Sequence, residues 1–319
     1  QVNYDLGWIA EMTALIRSID PETPVVGDPI FFRHPVPGKW RDASGIDCFE
    51  YHPYTNGELG FDFGLVQATV AEEARLFGSA FMTGEGFAPF LSWDAAKVGD
   101  ESKAAVRGLR DQLWFSLLAG ACGSYKWPDY FVKPLLEYGK AARALARIDF
   151  SHFVPAQPDL WLQLPASEPE RKALHQWTEY CLATGLAWRL AEPGQAPAGA
   201  VVMDAESFET PQGLLPKLEP GTGYQLKYLA DSDFRQTLIY LRNFAGVDDV
   251  GPQAGSCWLR RLEEAQPALK LHLPAAEYQL WVLDLDSGEE TTLNSSGEGQ
   301  IQLGGRSDHD FVVNITRVP

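Results

Sequence analysis

Four short apolar stretches, each ending in polar or aromatic residues, constrain this chain more than any other feature: VVGD (25–28), IDCFEYHPY (46–54), SAFMTGEG (79–86) and GACGSYKW (120–127). Each is too short for a helix and sits beside turn signals, so each reads as a buried strand. Helical spacing fills the gaps. WIAEMTALIRS (8–18) sets Trp8, Ile9, Met12, Leu15 and Ile16 three and four residues apart, and 64–77, about 101–119 and 132–147 read as further amphipathic helices. This alternation predicts parallel β/α architecture, in which ligands sit where the carboxyl ends of strands turn into loops. Asp28, His52, Tyr54, Glu85 and Trp127 fall at such ends. A doubly wound sheet would alternate in the same way, but no strand end carries GxGxxG or a phosphate loop, which argues against a nucleotide cofactor.

The pattern changes near residue 155. DLWLQLP (159–165), a helix over 169–185 closed by Gly185, and the strands LAWRLAE and AGAVVMDAE suggest a small flavodoxin-like α/β layer. From about 224 onward, short alternating strands such as TLIYLRNF, ALKLHLP, EYQLWVLDLD, GQIQL and DFVVNIT are separated by tight turns, which suggests an antiparallel β-sandwich. The expected domains are therefore 1–154, 155–222 and 223–319.

Charge and composition narrow the partners. With 43 acidic against 26 basic residues the formal charge is −17, which argues against nucleic acid or an anionic membrane, since binding there requires clustered Lys and Arg. Ten Trp, 11 Tyr and 17 Phe suit stacking on sugar rings, although most such residues build cores. Cys48, Cys122, Cys181 and Cys257 form no CxxC pair, so buried free thiols are expected rather than a zinc knuckle or a disulfide framework. His34, His152, His175, His272 and His309 are scattered without metal-ligand spacing, and no GxSxG elbow supports serine catalysis. No apolar run reaches the roughly 20 residues of a membrane helix.

Glu85 stands between Gly84 and Gly86 at the end of the third stretch, where two residues without side chains let other groups approach closely. IRSIDPETPVV, DCFEYHPY, FMTGEGF and GACGSYKW, taken in that order, resemble the fifth to eighth strands of the TIM-barrel glycoside hydrolases of clan A. The resemblance covers about residues 1–150. It implies a partial (β/α)8 barrel and a retaining hydrolase of β-glycosides without a cofactor. Glu85 corresponds to the nucleophile, Tyr54 and His52 to the residues that orient it and contact the sugar, and Trp127 to the aromatic floor under the ring. Asp28 corresponds to no catalytic position and reads as a turn residue.

A retaining glycosidase uses two carboxyl groups about 5 Å apart, one attacking the anomeric carbon and one protonating the departing oxygen. In the clan the second is a glutamate preceded by asparagine on the fourth strand. This sequence contains no Asn-Glu pair, and the first four strands have no counterpart here. Glu50, Glu58 and Asp129 read as structural or solvated acids rather than substitutes. An inactive carbohydrate-binding or scaffold remnant is the alternative. An open half barrel also exposes apolar surface and sheet edges, so self-association, most simply a twofold dimer, is expected.

Overall fold

A computed structural model describes residues 6–27, 45–51, 63–76, 80–83, 101–124, 133–165, 167–198, 200–203, 213–244, 247–249, 257–259 and 265–319. Helix α1 (Leu6–Ile19) precedes β1 (Val26–Gly27), β2 (Cys48–Tyr51), α2 (Phe63–Leu76), β3 (Ala80–Thr83), α3 (Glu101–Ala119), β4 (Gly123–Ser124) and α4 (Lys133–Leu145). The four strands pair in chain order and all run parallel. Arg17, in the last turn of α1 where a cation meets the negative end of the helix, pairs with Asp47 at 2.7 Å. Asp47 also accepts from the Val25 amide at 2.8 Å, so one carboxylate ties α1 to the entries of β1 and β2. These two bonds, the Val25 amide first, hold the Asp47 carboxyl below its ordinary range.

One face of this sheet is packed. Val25, Ile46 and Phe81 meet Ala71 of α2 and Ala119 of α3, and the small alanines let both helices lie close against the strands. Among the described residues the strands form an open four-stranded sheet, so the coarse expectation of parallel β/α structure holds while a closed barrel is not formed by them.

A second parallel sheet follows. It contains β5 (Leu160–Gln163), β6 (Trp188–Ala191) and β7 (Val202–Met203) in the order β6-β5-β7, with α5 (Glu168–Thr184) as the crossover between the first two. Ser167 caps α5 by accepting from the Glu170 amide, and its hydroxyl donates to the Glu170 carboxylate at 2.8 Å. The helix ends on Gly185 at φ 80°, a left-handed position that glycine occupies at little cost.

The remaining strands are β8 (Leu218–Pro220), β9 (Tyr224–Ala230), β10 (Gln236–Asn243), β11 (Val247–Asp249), β12 (Cys257–Leu259), β13 (Ala268–His272), β14 (Tyr278–Asp284), β15 (Glu290–Ser295), β16 (Glu298–Gln302) and β17 (Phe311–Arg317), all paired antiparallel. A five-stranded sheet, β15-β14-β17-β10-β9, faces a three-stranded one, β16-β13-β8. Leu226, Ile239, Leu269, Leu271, Leu280 and Val313 pack between them. The sandwich expected from sequence therefore exists as two layers, but it does not stand apart. On the other face of the larger sheet, Leu238, Tyr240, Leu283 and Val312 join Trp114 and Leu118 of α3, Ala144 of α4 and Trp177 of α5 in one continuous core. Burial of β10 at every position from Thr237 to Asn243 follows from this double coverage.

Two buried ion networks fasten the helices to these strands. Glu72 of α2 is fully enclosed and contacts Arg75 at 2.9 Å, Arg189 of β6 at 3.0 Å and Lys227 of β9 at 2.9 Å. Burial alone would raise its pKa, but Arg189, Lys227 and Arg75 together outweigh that and hold it at about 2. Arg110 of α3 meets Glu137 of α4 at 2.8 Å, Asp286 at 2.9 Å and Asp310 at 3.3 Å. Burial works against its charge, and Asp310, Glu137 and Asp286 more than restore it.

Candidate active site

The register of the first sheet defines a level carboxyl edge. Tyr51 is the Cα partner of Thr83, and Thr83 of Ser124, so β2, β3 and β4 end side by side. In sequence, His52 and Tyr54 come one and three residues after β2, Glu85 two after β3, Trp127 three after β4 and Asp28 one after β1. Glu85, His52, Tyr54, Trp127 and Asp28 all lie outside the described residues, as do Glu58 and Asp129. Glu50 lies within β2, paired in register with Met82.

Among the described residues no helix or strand covers the face opposite the helices. Val25 is buried on the helix side, whereas Val26, the next residue and the register partner of Cys48, is 48 % exposed. Cys48 is half-buried, Cys122 is exposed, and their Sγ atoms are 3.8 Å apart. Cys48 lies on β2 and Cys122 directly precedes β4, with β3 between them. The thiol contact therefore reaches across β3. The expectation that the cysteines are buried holds for Cys181 and fails for Cys48, which is half-buried, and Cys122, which is exposed.

The described histidines serve local structure. His175 approaches Thr69 at 3.4 Å, His272 pairs with Glu219 at 2.6 Å, and His309 pairs with Asp284 at 2.6 Å. Sequence reading missed one acidic group, Asp284, Asp286 and His309, whose donor atoms lie within 4.8 Å of one another and could in principle hold a metal ion. Its only sequence signal is a D-x-D spacing, with the histidine 23 residues later. The group is already occupied by protein: Asp284 accepts from the amides of Asp286 and Ser287, and Arg110 pairs with Asp286. It locks the turn after β14.

No family model and no curated protein matches the sequence. Solved structures do. An α-L-fucosidase, isoenzyme 2 from Paenibacillus thiaminolyticus, aligns over 98 % of this chain and 71 % of its own at 12 % identity, with a TM-score of 0.52. A chain described as a glycoside hydrolase aligns over 96 % of this chain and 60 % of its own at 12 % identity and TM-score 0.43. A xyloglucanase from Paenibacillus polymyxa, of glycoside hydrolase family 44, aligns over 98 % and 60 % at 8 % identity and TM-score 0.37. The chain thus spans 60 to 71 % of the length of these structures. At 12 % identity the likeness to the fucosidase concerns fold alone: the mixed α/β architecture, with parallel and antiparallel sheets, resembles that of this enzyme. No helix among the described residues is long and apolar enough to cross a membrane.

Proposed function

We propose that the chain carries the nucleophile half of a retaining glycoside hydrolase acting on β-glycosides, with Glu85 as nucleophile, Tyr54 and His52 orienting it and Trp127 stacking under the sugar. The observation that supports this most is the level carboxyl edge of β2, β3 and β4. Glu85 follows the end of β3 by two residues and Tyr54 the end of β2 by three, and these strands are neighbours about 4.8 Å apart. Glu85 would attack the anomeric carbon as the glycosidic C–O bond breaks, and water would then release the sugar from the ester. Donors such as the Tyr54 hydroxyl would keep the carboxylate ionised for that attack.

An aryl β-glycoside with a dinitrophenolate leaving group tests this, because the phenolate departs without a proton and needs no acid partner. A panel of β-linked sugars is assayed with the wild type, Glu85→Gln and, as a control, Glu58→Gln. The expected result is turnover that falls at least about a hundredfold in Glu85→Gln only, as for removal of an essential nucleophile. Equal turnover in Glu85→Gln would refute the assignment. The absence of an Asn-Glu pair favours a second reading, an inactive carbohydrate binder. Sugar binding without turnover, in the wild type and Glu85→Gln alike, would support that reading.

A further inference from the structure

We propose that Cys48 and Cys122 form a two-thiolate clamp for a soft divalent cation of the zinc class, at the amino-terminal ends of β2 and β4. Their Sγ atoms are 3.8 Å apart, with Cys122 exposed and Cys48 half-buried, so an ion in solution can reach both. With Zn–S bonds of about 2.3 Å and a tetrahedral angle at the metal, two thiolates are held about 3.8 Å apart. The observed pair already has that separation, and binding requires no movement of β2 or β4. The site is not preassembled by sequence neighbours. Residues 48 and 122 are 74 positions apart in sequence and meet across β3.

Binding balances as two thiols plus one M²⁺ giving two metal–sulfur bonds and two released protons, with no change of oxidation state. Cys122 now donates its thiol hydrogen to the Phe81 carbonyl at 3.2 Å, and it gives up that proton on ligation. Two protein ligands leave the remaining coordination positions to water or small anions. This geometry makes the pair an open site rather than a closed structural one. Cys181, being buried, cannot compete for the ion.

The test uses the reduced full-length chain with cadmium as a spectroscopic probe and zinc as competitor. One equivalent of cadmium is expected to give an ultraviolet thiolate-to-metal band, release two protons and be displaced by zinc. Cys48→Ser and Cys122→Ser should each weaken cadmium binding about a hundredfold, the usual loss when a second tethered contact is removed. Cys181→Ser and Cys257→Ser should leave it unchanged. In the unmutated protein, zinc should protect two thiols from alkylation, and peptide mapping should identify them as residues 48 and 122. Absence of uptake at one equivalent, uptake that survives both single substitutions, or protection of any other pair would overturn the proposal.

Discussion

Replacing Glu72 by glutamine tests whether one buried carboxylate fastens the parallel sheet to the rest of the molecule. Glu72 lies on α2, whereas two of its three cationic partners, Arg189 and Lys227, lie on β6 and β9. Its pKa falls from an ordinary 4.5 to about 2. At about 1.36 kcal/mol per unit, that corresponds to roughly 3 kcal/mol of stability at neutral pH. An independent argument agrees, since removing one partner of a buried ion pair costs about 3 to 5 kcal/mol. With a urea dependence of about 3 kcal/mol per molar, the midpoint should drop by about 1 M. The pH dependence has a definite sign. A carboxyl whose folded pKa is depressed contributes fully above its unfolded pKa and loses that contribution as pH falls through the folded one. The gap between wild type and Glu72→Gln should therefore be complete above about pH 5 and shrink steadily toward pH 2. Lys227→Met combined with Glu72→Gln should cost less than the sum of the two, because the double variant no longer buries that ammonium without its partner. A midpoint within about 0.2 M of wild type at pH 7, or strict additivity in the double variant, would refute this account.

Two further substitutions probe the same framework. Arg110→Met leaves Glu137, Asp286 and Asp310 facing one another without their shared cation, and should lower stability by at least about 3 kcal/mol in urea unfolding, with Arg110→Lys recovering only part because it lacks the planar fork. Gly185→Ala should be worse tolerated than any exposed substitution: the new Cβ would lie 1.8 Å from the Leu218 carbonyl oxygen at a φ of 80°, and thermal unfolding should show a drop of more than about 5 °C.

Much of the framework was legible because period and length agree with it. The helices expected over 8–18, 64–77, 101–119, 132–147 and 169–185 correspond to α1 to α5 within a residue or two at most ends. Five strands of the antiparallel layers, β10, β13, β14, β16 and β17, were readable for the same reason, since TLIYLRNF puts Leu238 and Tyr240 on one face and Ile239 and Leu241 on the other, whereas β8, β9 and β15 were not singled out. What alternation could not reveal is that both faces of β10 are apolar because both are covered. Sequence also assigned both Cys48 and Cys122 to a buried state, by residue type, since free cysteine is usually enclosed. Their meeting across β3 is a tertiary feature that residue type does not encode. The candidate site divides likewise. Strand ends are local and were legible in DCFEYHPY and FMTGEGF, whereas the placement of the loop residues that follow them is a tertiary matter that no dipeptide encodes, and those residues lie outside the described ones.

The packing explains how an open sheet of four parallel strands can be held in shape. In a closed barrel each strand is braced by neighbours on both sides and by a filled interior. Here one face of the sheet rests on Ala71 and Ala119, and the helices that carry those residues are gripped from outside. Trp114 and Leu118 of α3 pack on the five-stranded sheet, Glu72 of α2 is held by β6 and β9, and Arg110 of α3 by the strand ends at Asp286 and Asp310. The antiparallel sheet thus braces the parallel one through an intervening layer of helices. It follows that a substitution in the Glu72 network acts on the carboxyl edge without touching it. If the proposed glycosidase function holds, loss of turnover in Glu72→Gln should parallel its loss of stability on raising urea, whereas Glu85→Gln should abolish turnover with its urea midpoint unchanged.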